Sequence, residues 1–528
     1  MPSGTGAGRA QVPHPHVNPW LTAFAVMFGT FMVVLDTTVV NVSLPHIAGS
    51  LSATVEESTW ALTAYLAANA VILPLTGWLA AIIGRKRLLQ FSVIGFTAAS
   101  FLCGAAPNLP TLVMFRIIQG VTGGVMQPLS QAVLLEAFDP TERGKAMGFW
   151  GLGIVVAPII GPVLGGWLTD NYSWRWVFYI NIPIGVIAIF MIRAYIFDPP
   201  YLRRTMAAID YWGIGLLAVG VGAMQIMLDK GEQEDWFASP LIVTLTITGA
   251  IGLAAFIVRE LRTRSPVVDL RVFRNATYAM GVLLTTVLGF VLYGSLVLLP
   301  VMLQTLMGYP SVEAGIALAP RGIGSFIAMP LIGLATDRFD PRKLVGVGLL
   351  LGAYTLFWFS WLNVDAGYWD LFWPQLLQGF SLGLLFVPLT TVTMGAISRE
   401  AMGNAASLFN LMRNLGSSVG IAVVTTLLTR RRVFHTETLS AHVSQYSLGA
   451  SDRLAQLQAY FISRGADMAT AFQQAYASMR GMVQREAAFL SFVDAFYLLG
   501  VIFLLMIPLL FLMQRPAEVV KAEAPMID

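Results

Sequence analysis

Four charged residues interrupt long apolar stretches of the sequence: Asp36, Arg116, Arg321 and Arg413. A charge among apolar side chains is costly, so it is usually retained to bind a partner ion, a proton or a substrate. Aspartate loses its charge when it binds a proton, whereas arginine stays charged. The pattern therefore offers one group that can be neutralised and three permanent cations that need an anion, a carbonyl group or water.

The composition shows what must hold these residues. Of 528 residues, 56% are hydrophobic and only 12% are charged, against about 25% charged in a typical soluble domain. Apolar residues form fourteen blocks of roughly 18 to 25 residues, enough to cross a bilayer as helices. We therefore predict an all-α polytopic membrane protein. The fourteen blocks begin near Trp20, Ser58, Leu88, Pro110, Lys145, Trp174, Asp210, Leu241, Tyr278, Val312, Lys343, Leu371, Asn404 and Ser491.

Cations follow every second block, for example at Arg85, Arg143 and Arg342, and the intervening short connections have almost none. Short loops rich in lysine and arginine stay in the cytoplasm. This distribution predicts that these loops and both termini are cytoplasmic. A cleaved signal peptide is the alternative interpretation of the first block, but the block is long and contains Asp36.

Two parts of the chain repeat. The segment Phe115–Gly120 recurs as Pro374–Gly379, and the basic turn Gly77–Arg87 recurs as Gly333–Lys343. Chance similarity among glycine-rich helices is the alternative. We predict two six-helix bundles, 20–198 and 265–514, with two inserted helices in 199–264, a disordered cytoplasmic tail at 1–19, an external loop at 430–489 and a cytoplasmic tail at 515–528. Repeated halves favour a carrier with its substrate site between them.

Asp36 and Arg116 are candidates for proton coupling. Asp36 lies about 24 Å along its helix from Trp20, in the outward half, and Arg116 has a depth that would let it face Asp36. A change in hydration or in the distance to an arginine changes the proton affinity of a carboxylate. Asp36 would then bind and release a proton. A static ion pair, or hydrogen bonds to Thr37 and Thr38, is the alternative.

Arg321 and Arg413 are left without an acid in this interpretation. They suggest cargo with a weakly acidic group, whereas bonds to backbone carbonyls are an equally good explanation. Aromatic and amide side chains within the spans could line a drug-sized pocket, although helix packing explains any one of them. The candidate substrate-binding residues are Tyr65, Asn69, Gln127, Gln131, Tyr293, Gln304, Gln378, Asn410 and Arg413.

The fifth block is dense in glycine and proline between Gly151 and Gly166. Such a helix can approach its neighbours closely and bend, which suggests a hinge or seal, with small-residue packing as the alternative. The chain has no Gly-x-x-x-x-Gly-Lys-Ser/Thr phosphate loop and no base–nucleophile constellation, so we expect neither an enzyme nor a cofactor. The energy would come from the proton gradient.

Several motifs together resemble the major facilitator superfamily, specifically its fourteen-helix drug:proton antiporters of the EmrB type, over nearly the whole chain. Leu35–Pro45 is similar to the first-helix motif, Gly161–Gly166 to the antiporter motif, and Arg116, Gln119 and Gly120 to the proton-linked arginine motif. Phe178–Gly185 and Met227–Gly231 resemble the EmrB pattern.

The resemblance implies export of varied hydrophobic or amphipathic compounds in exchange for protons, across the bacterial inner membrane. A lipid or metabolite transporter on the same fold is the alternative. It implies a periplasmic adaptor of the EmrA type and an outer-membrane channel of the TolC type as partners, and loop 430–489 would dock a partner or cap the transporter. It also implies conformational gating by Gly77, Gly84, Arg85, Gly161, Pro162, Gly165, Asp337 and Arg338. Ala81 replaces the usual aspartate of the basic turn, which removes that acid from any latch in the first half.

Overall fold

The structure is a computed structural model that describes residues 18–139, 142–198, 209–263, 265–336, 338–443 and 447–512. Most of the two predicted tails, and Asp337, lie outside these residues. Every regular element in the described part is helical. Fourteen of its helices are long and apolar enough to cross a membrane, so the prediction of an all-α protein with fourteen membrane helices is confirmed.

Some spans consist of several helical pieces. The second span is interrupted by a 3-10 turn that contains Pro74. The second and third spans are separated at Gly84, which has a φ of 93°. The helices are α1 (Pro19–Ser50), α2 (Val55–Ser58), α3 (Trp60–Ile72), α4 (Thr76–Ile83), α5 (Arg85–Gly104), α6 (Leu109–Gly124), α7 (Met126–Ala137), α8 (Arg143–Asn171), α9 (Trp176–Tyr179), α10 (Asn181–Tyr195), α11 (Tyr211–Lys230), α12 (Pro240–Arg262), α13 (Ala276–Thr305), α14 (Ser311–Thr336), α15 (Pro341–Ser360), α16 (Tyr368–Gly395), α17 (Met402–His442), α18 (Leu448–Ser463) and α19 (Met468–Met506).

Asparagine side chains cap several spans. Asn18, Asn108 and Asn275 each accept a hydrogen bond from a backbone N–H in the first turn of α1, α6 and α13. These N–H groups have no partner within the helix, so a capping side chain satisfies them and fixes where the helix begins. Asp210 does the same for α11 and also binds Arg259 of α12, with oxygen–nitrogen distances of 2.7 to 2.9 Å.

The helices of the first half, α1 to α10, pack mainly on one another, as do α13 to α17 and α19. The inserted helices α11 and α12 form a pair that contacts α3 on one side and α17 on the other. The hydrophobic core is continuous between the halves, because Trp150 of α8 belongs to the same buried cluster as Met329 of α14 and Phe409 of α17. The boundaries of the two bundles stay a prediction.

Equivalent glycines make equivalent close contacts in the two halves. An added methyl group at Gly120 would lie 2.4 Å from the Tyr65 carbonyl oxygen, and one at Gly379 would lie 1.9 Å from that of Arg321. Both glycines therefore permit a backbone approach that no other residue allows. This agreement supports the repeat that the sequence indicated.

The chain around 430–489 differs from the predicted loop. Helix α17 continues to His442, α18 follows, and the last helix begins at Met468 rather than near Ser491. Apolar residues recur at helical spacing from Leu454 to Phe461 and from Phe472 to Val483, whereas the polar end of α17 gives no such signal in the sequence. We call 430–489 the helical extension.

Candidate functional site

Asp36 and Arg116 are in direct contact between α1 and α6. Both side chains are completely buried, and Arg116 Nη1 lies 2.5 Å from Asp36 Oδ2. The guanidinium also donates to the Ala61 carbonyl oxygen at 3.0 Å, and it lies over the Tyr65 ring, 4.2 Å from its centroid. The arginine is thus held by an acid, a carbonyl and an aromatic face, all within the first half.

Two amide side chains complete the carboxylate site. Gln119 Nε2 and Asn181 Nδ2 donate to Asp36 Oδ1 at 2.9 and 2.8 Å. The ionised carboxylate therefore accepts three hydrogen bonds in a place that water does not reach, which compensates for its burial. Gln119 belongs to the arginine motif seen in the sequence, whereas no role was predicted for Asn181. Asn181 lies in the segment Phe178–Gly185 that resembles the EmrB pattern, but the sequence does not show that its side chain faces Asp36.

A second site is a cavity between the halves. Its walls come from α8, α13, α14, α16 and α17. The lining is apolar, with Leu292, Leu382 and Phe386 among its residues, apart from Tyr293, Arg321 and Arg413. A mainly apolar lining with a few polar groups is typical of a small-molecule site.

The two arginines of this cavity have no acidic partner among the residues that the structure describes. Arg321 donates to the Ser295 hydroxyl at 2.8 Å and Arg413 to Gln127 Oε1 at 3.2 Å. The Nε atom of each is buried without a hydrogen-bond acceptor in the same part of the chain. The cavity wall therefore carries two arginines that no acid in the described part of the chain neutralises.

The predicted substrate-binding residues divide into three groups. Tyr293 and Arg413 line the cavity, and Gln127 lies behind it through its bond to Arg413. Gln131 and Asn410 bond to each other at 2.5 Å across the two halves. The remaining four are not among the lining residues: Tyr65 contacts Arg116, Asn69 and Gln378 are buried elsewhere, and Gln304 is exposed near the end of α13.

Gly77, one of the predicted gating glycines, lies at a tight crossing between the halves. A methyl group there would be 2.7 Å from the Asn404 nitrogen, and one at Gly333, the equivalent residue of the second half, would be 2.8 Å from the Gly144 carbonyl oxygen. These two crossings join the halves at the ends that carry the basic turns. Gly84 ends α4 with a φ of 93°. Arg85 pairs with Glu136 of α7 within the same half.

The antiporter-like segment of α8 packs on α1. Gly161 lies against Thr38, where an added methyl group would be 2.1 Å from the hydroxyl oxygen, and Gly165 lies against Val39. Pro162 stands between them within α8. Thr38 is two residues from Asp36, while Pro158 of α8 lines the cavity. The α1–α8 crossing therefore connects the carboxylate site to the cavity. Arg338 is exposed, and the prediction for Asp337 lies outside the described residues.

Comparisons with known proteins agree with this architecture. The chain is 39% identical to the fatty acid resistance protein FarB of Neisseria gonorrhoeae over 94% of this chain and 96% of FarB. It is 36% identical to the multidrug export protein EmrB of Escherichia coli K12 over 94% of this chain and 95% of EmrB.

Among solved structures, a double tryptophan mutant of XylE matches with a TM-score of 0.60 at 13% identity, covering 94% of this chain and 96% of the other. The human organic anion transporter MFSD10 matches with a TM-score of 0.58 at 14% identity, covering 93% and 100%. These two likenesses concern the fold. Residues 26–421 match the Major Facilitator Superfamily. The chain therefore belongs to the major facilitator superfamily and, within it, to the EmrB-type transporters that its motifs resemble.

Proposed function

We propose that this protein is a proton-coupled efflux antiporter that exports hydrophobic and amphipathic compounds by alternating access. The observation that carries the proposal is the Asp36–Arg116 pair, an ionisable acid enclosed within one half of a transporter that has a mainly apolar cavity between its halves. The similarity to a multidrug export protein and to a fatty acid resistance protein supports export as the direction and varied compounds as the cargo.

The proton acts by removing the charge of Asp36. Arg116 is attracted to the ionised carboxylate but not to the neutral acid, so protonation weakens the contact between α1 and α6. Helix α1 can then move with α8, because Thr38 packs on Gly161 and lies 3.5 Å from the Ala157 carbonyl oxygen. Since α8 also forms a wall of the cavity, the loss of one charge changes the shape of the cargo site.

The structure corresponds, in this proposal, to a state closed toward the cytoplasm. The crossings at Gly77 and Gly333 join the two halves at the ends that carry the basic turns, and the positive-inside rule places those ends in the cytoplasm. We accordingly propose that both termini are cytoplasmic, in a bacterial inner membrane. A proton taken from outside by Asp36 would release these crossings and turn the cavity inward.

The cargo site favours compounds with a weakly acidic group. Arg321 and Arg413 have no acidic partner among the described residues, and an anionic group on the cargo would neutralise one of them. The apolar wall would hold the rest of the molecule. The similarity to a fatty acid resistance protein is consistent with such cargo.

The helical extension provides a surface for a periplasmic adaptor of the EmrA type, which would lead to an outer-membrane channel of the TolC type. It exposes large apolar side chains, including Leu448, Met468 and Tyr476, and such patches mark protein interaction sites. Photocrosslinking from position 476 to an adaptor of this type tests the assignment. A crosslink from position 361, an exposed tryptophan on another connection, but none from 476 would contradict it.

Drug-driven proton movement in inverted vesicles tests the antiport itself. Wild-type vesicles should release protons when drug is added, and Asp36→Asn, which keeps the size of the side chain, should not. Asp170→Asn is the matched control because Asp170 is an exposed acid on α8. Drug transport without proton movement in the wild type would refute the proposal, as would unchanged coupling in Asp36→Asn.

Competition between charged cargoes tests the role of the arginines. Arg413→Gln should raise the KM for a lipophilic weak acid about tenfold, the usual loss for a hydrogen bond to a charged group, and should leave a lipophilic cation unaffected or better transported. Arg453→Gln, which changes an exposed arginine of α18, is the control. Preference of the wild type for the cation would refute acidic cargo.

A further inference from the structure

Asn181 has an unusual set of contacts. It is the first residue of α10, directly after the break that separates α9 from α10, and it is completely buried. Its Nδ2 donates to Asp36 Oδ1 at 2.8 Å and to the Ser100 hydroxyl at 3.0 Å. Its Oδ1 is buried and accepts no hydrogen bond from the described residues. A buried amide oxygen without a donor is costly, so it calls for an explanation.

Gln119 provides the contrast. Its Nε2 also donates to Asp36 Oδ1, but its Oε1 accepts from Arg116 Nη1 at 2.7 Å. Reversal of this amide would place its NH2 group against the guanidinium, two donors facing each other. The orientation of Gln119 is therefore fixed by Arg116, whereas no cation holds that of Asn181.

A protonated Asp36 needs an acceptor for its new O–H group. Three oxygen atoms of this cluster already accept a hydrogen bond. The Ala61 carbonyl and Gln119 Oε1 accept from Arg116, and the Phe178 carbonyl accepts from Ser100. The titratable and charged groups packed around the carboxyl are Arg116 of α6, Tyr65 of α3 and Cys103 of α5, and none of them is an ionised acceptor. Asn181 Oδ1 is the unengaged oxygen among the direct partners of Asp36.

We propose that Asn181 is a positioning residue that serves both protonation states of Asp36 by reversing its amide. With ionised Asp36, Nδ2 donates to Oδ1 of the carboxylate, as the structure shows. When a hydronium ion that reaches the site in another conformation transfers its proton to that oxygen and leaves as water, the amide turns by half a revolution and its own Oδ1 accepts from the new O–H. When the proton leaves to water in such a conformation, the amide turns back. In the reversed orientation, the Ser100 hydroxyl turns from the Phe178 carbonyl and donates to the amide oxygen.

This inference rests on the proposed proton coupling and adds its specific consequence. Without Asn181, ionised Asp36 loses one of its three donors and the neutral acid loses its acceptor. Both states are then less well satisfied, so Asn181→Leu should lower the rate of drug-driven proton exchange about tenfold. Leucine has nearly the size of asparagine, so a role confined to packing would leave the rate unchanged.

The test measures the rate of drug-driven proton exchange in proteoliposomes of the full chain. Asn181→Ser is the rescuing variant, because a hydroxyl both donates and accepts, and its rate should lie close to that of the wild type. A rate of Asn181→Leu equal to the wild type would overturn the proposal. So would a Ser variant as slow as the Leu variant.

Infrared difference spectra between alkaline and acidic buffer give an independent readout that does not require transport. The carboxylic C=O band that disappears in Asp36→Asn should move to higher frequency in Asn181→Leu, because the O–H group of protonated Asp36 loses its hydrogen bond to Asn181 Oδ1. An unmoved band would overturn the proposal. Absence of proton movement in the wild type would instead refute the proposed antiport, so the two failures are distinguishable.

Discussion

Replacement of Gly161 by alanine would place a methyl group 2.1 Å from the Thr38 hydroxyl oxygen and 2.7 Å from Thr38 Cβ. Rotation of the threonine side chain cannot relieve the second contact, because Cβ is fixed to the backbone. Ordinary contact begins at 3.4 Å, so α1 and α8 would have to separate by about 1 Å. Overpacking of this kind costs about 1–3 kcal/mol.

The consequence should appear in both stability and coupling. Gly161→Ala should unfold at lower temperature in detergent, and it should lower drug-driven proton exchange in proteoliposomes because the crossing joins the Asp36 helix to the cavity wall. Gly166→Ala is the matched control on the same helix, since nothing lies within 4 Å of a methyl group there. Equal stability and equal exchange in the two variants would refute the view that this crossing is tight and transmits the change.

Three further predictions concern other contacts. Gly77→Ala, whose methyl group would lie 2.7 Å from the Asn404 nitrogen, should shift the equilibrium about tenfold toward the state open at that end, as measured by distances between spin labels. Glu136→Gln should lower the free energy of unfolding by about 2 kcal/mol, because buried Arg85 loses an ionised acceptor. Hydrogen bonds from Thr470 lower the pKa of Asp467 at the start of α19. The free energy by which ionised Asp467 stabilises that turn should therefore be complete above about pH 4 and should be lost as the pH falls through the lowered pKa. Amide hydrogen exchange of the turn measures this loss.

Each of these has a contradicting result. Gly395→Ala adds a methyl group with nothing within 4 Å, so a population shift as large as that of Gly77→Ala would remove the steric argument. Unchanged unfolding of Glu136→Gln would mean that its pair with Arg85 contributes nothing measurable. Protection of the first turn of α19 that stays constant in acid, after correction for intrinsic exchange rates, would contradict the Asp467 cap.

The sequence predicted the spans well because the hydropathy of a segment depends only on the residues of that segment. It also identified Asp36 and Arg116, since each is a charge in an apolar block, and depth along the two helices brought them to one level. It could not identify Asn181, which is uncharged and lies far along the chain from Asp36. Contact between them depends on the rotation of α10 about its axis.

The same limit explains Gln304, which was predicted to line a pocket and is exposed. A polar residue near the end of a helix can face outward at little cost, and only packing decides its direction. The helical extension shows a different limit: the polar end of α17 continues the helix without any hydropathy signal, whereas apolar residues between Phe472 and Val483 recur at helical spacing in α19.

The carboxylate and the cavity share no lining residue. In the proposed mechanism the proton and the exported compound therefore bind different side chains, and the α1–α8 crossing is what joins the two sites. Changes in the cavity wall could then broaden or narrow the range of exported compounds without altering the groups that bind Asp36.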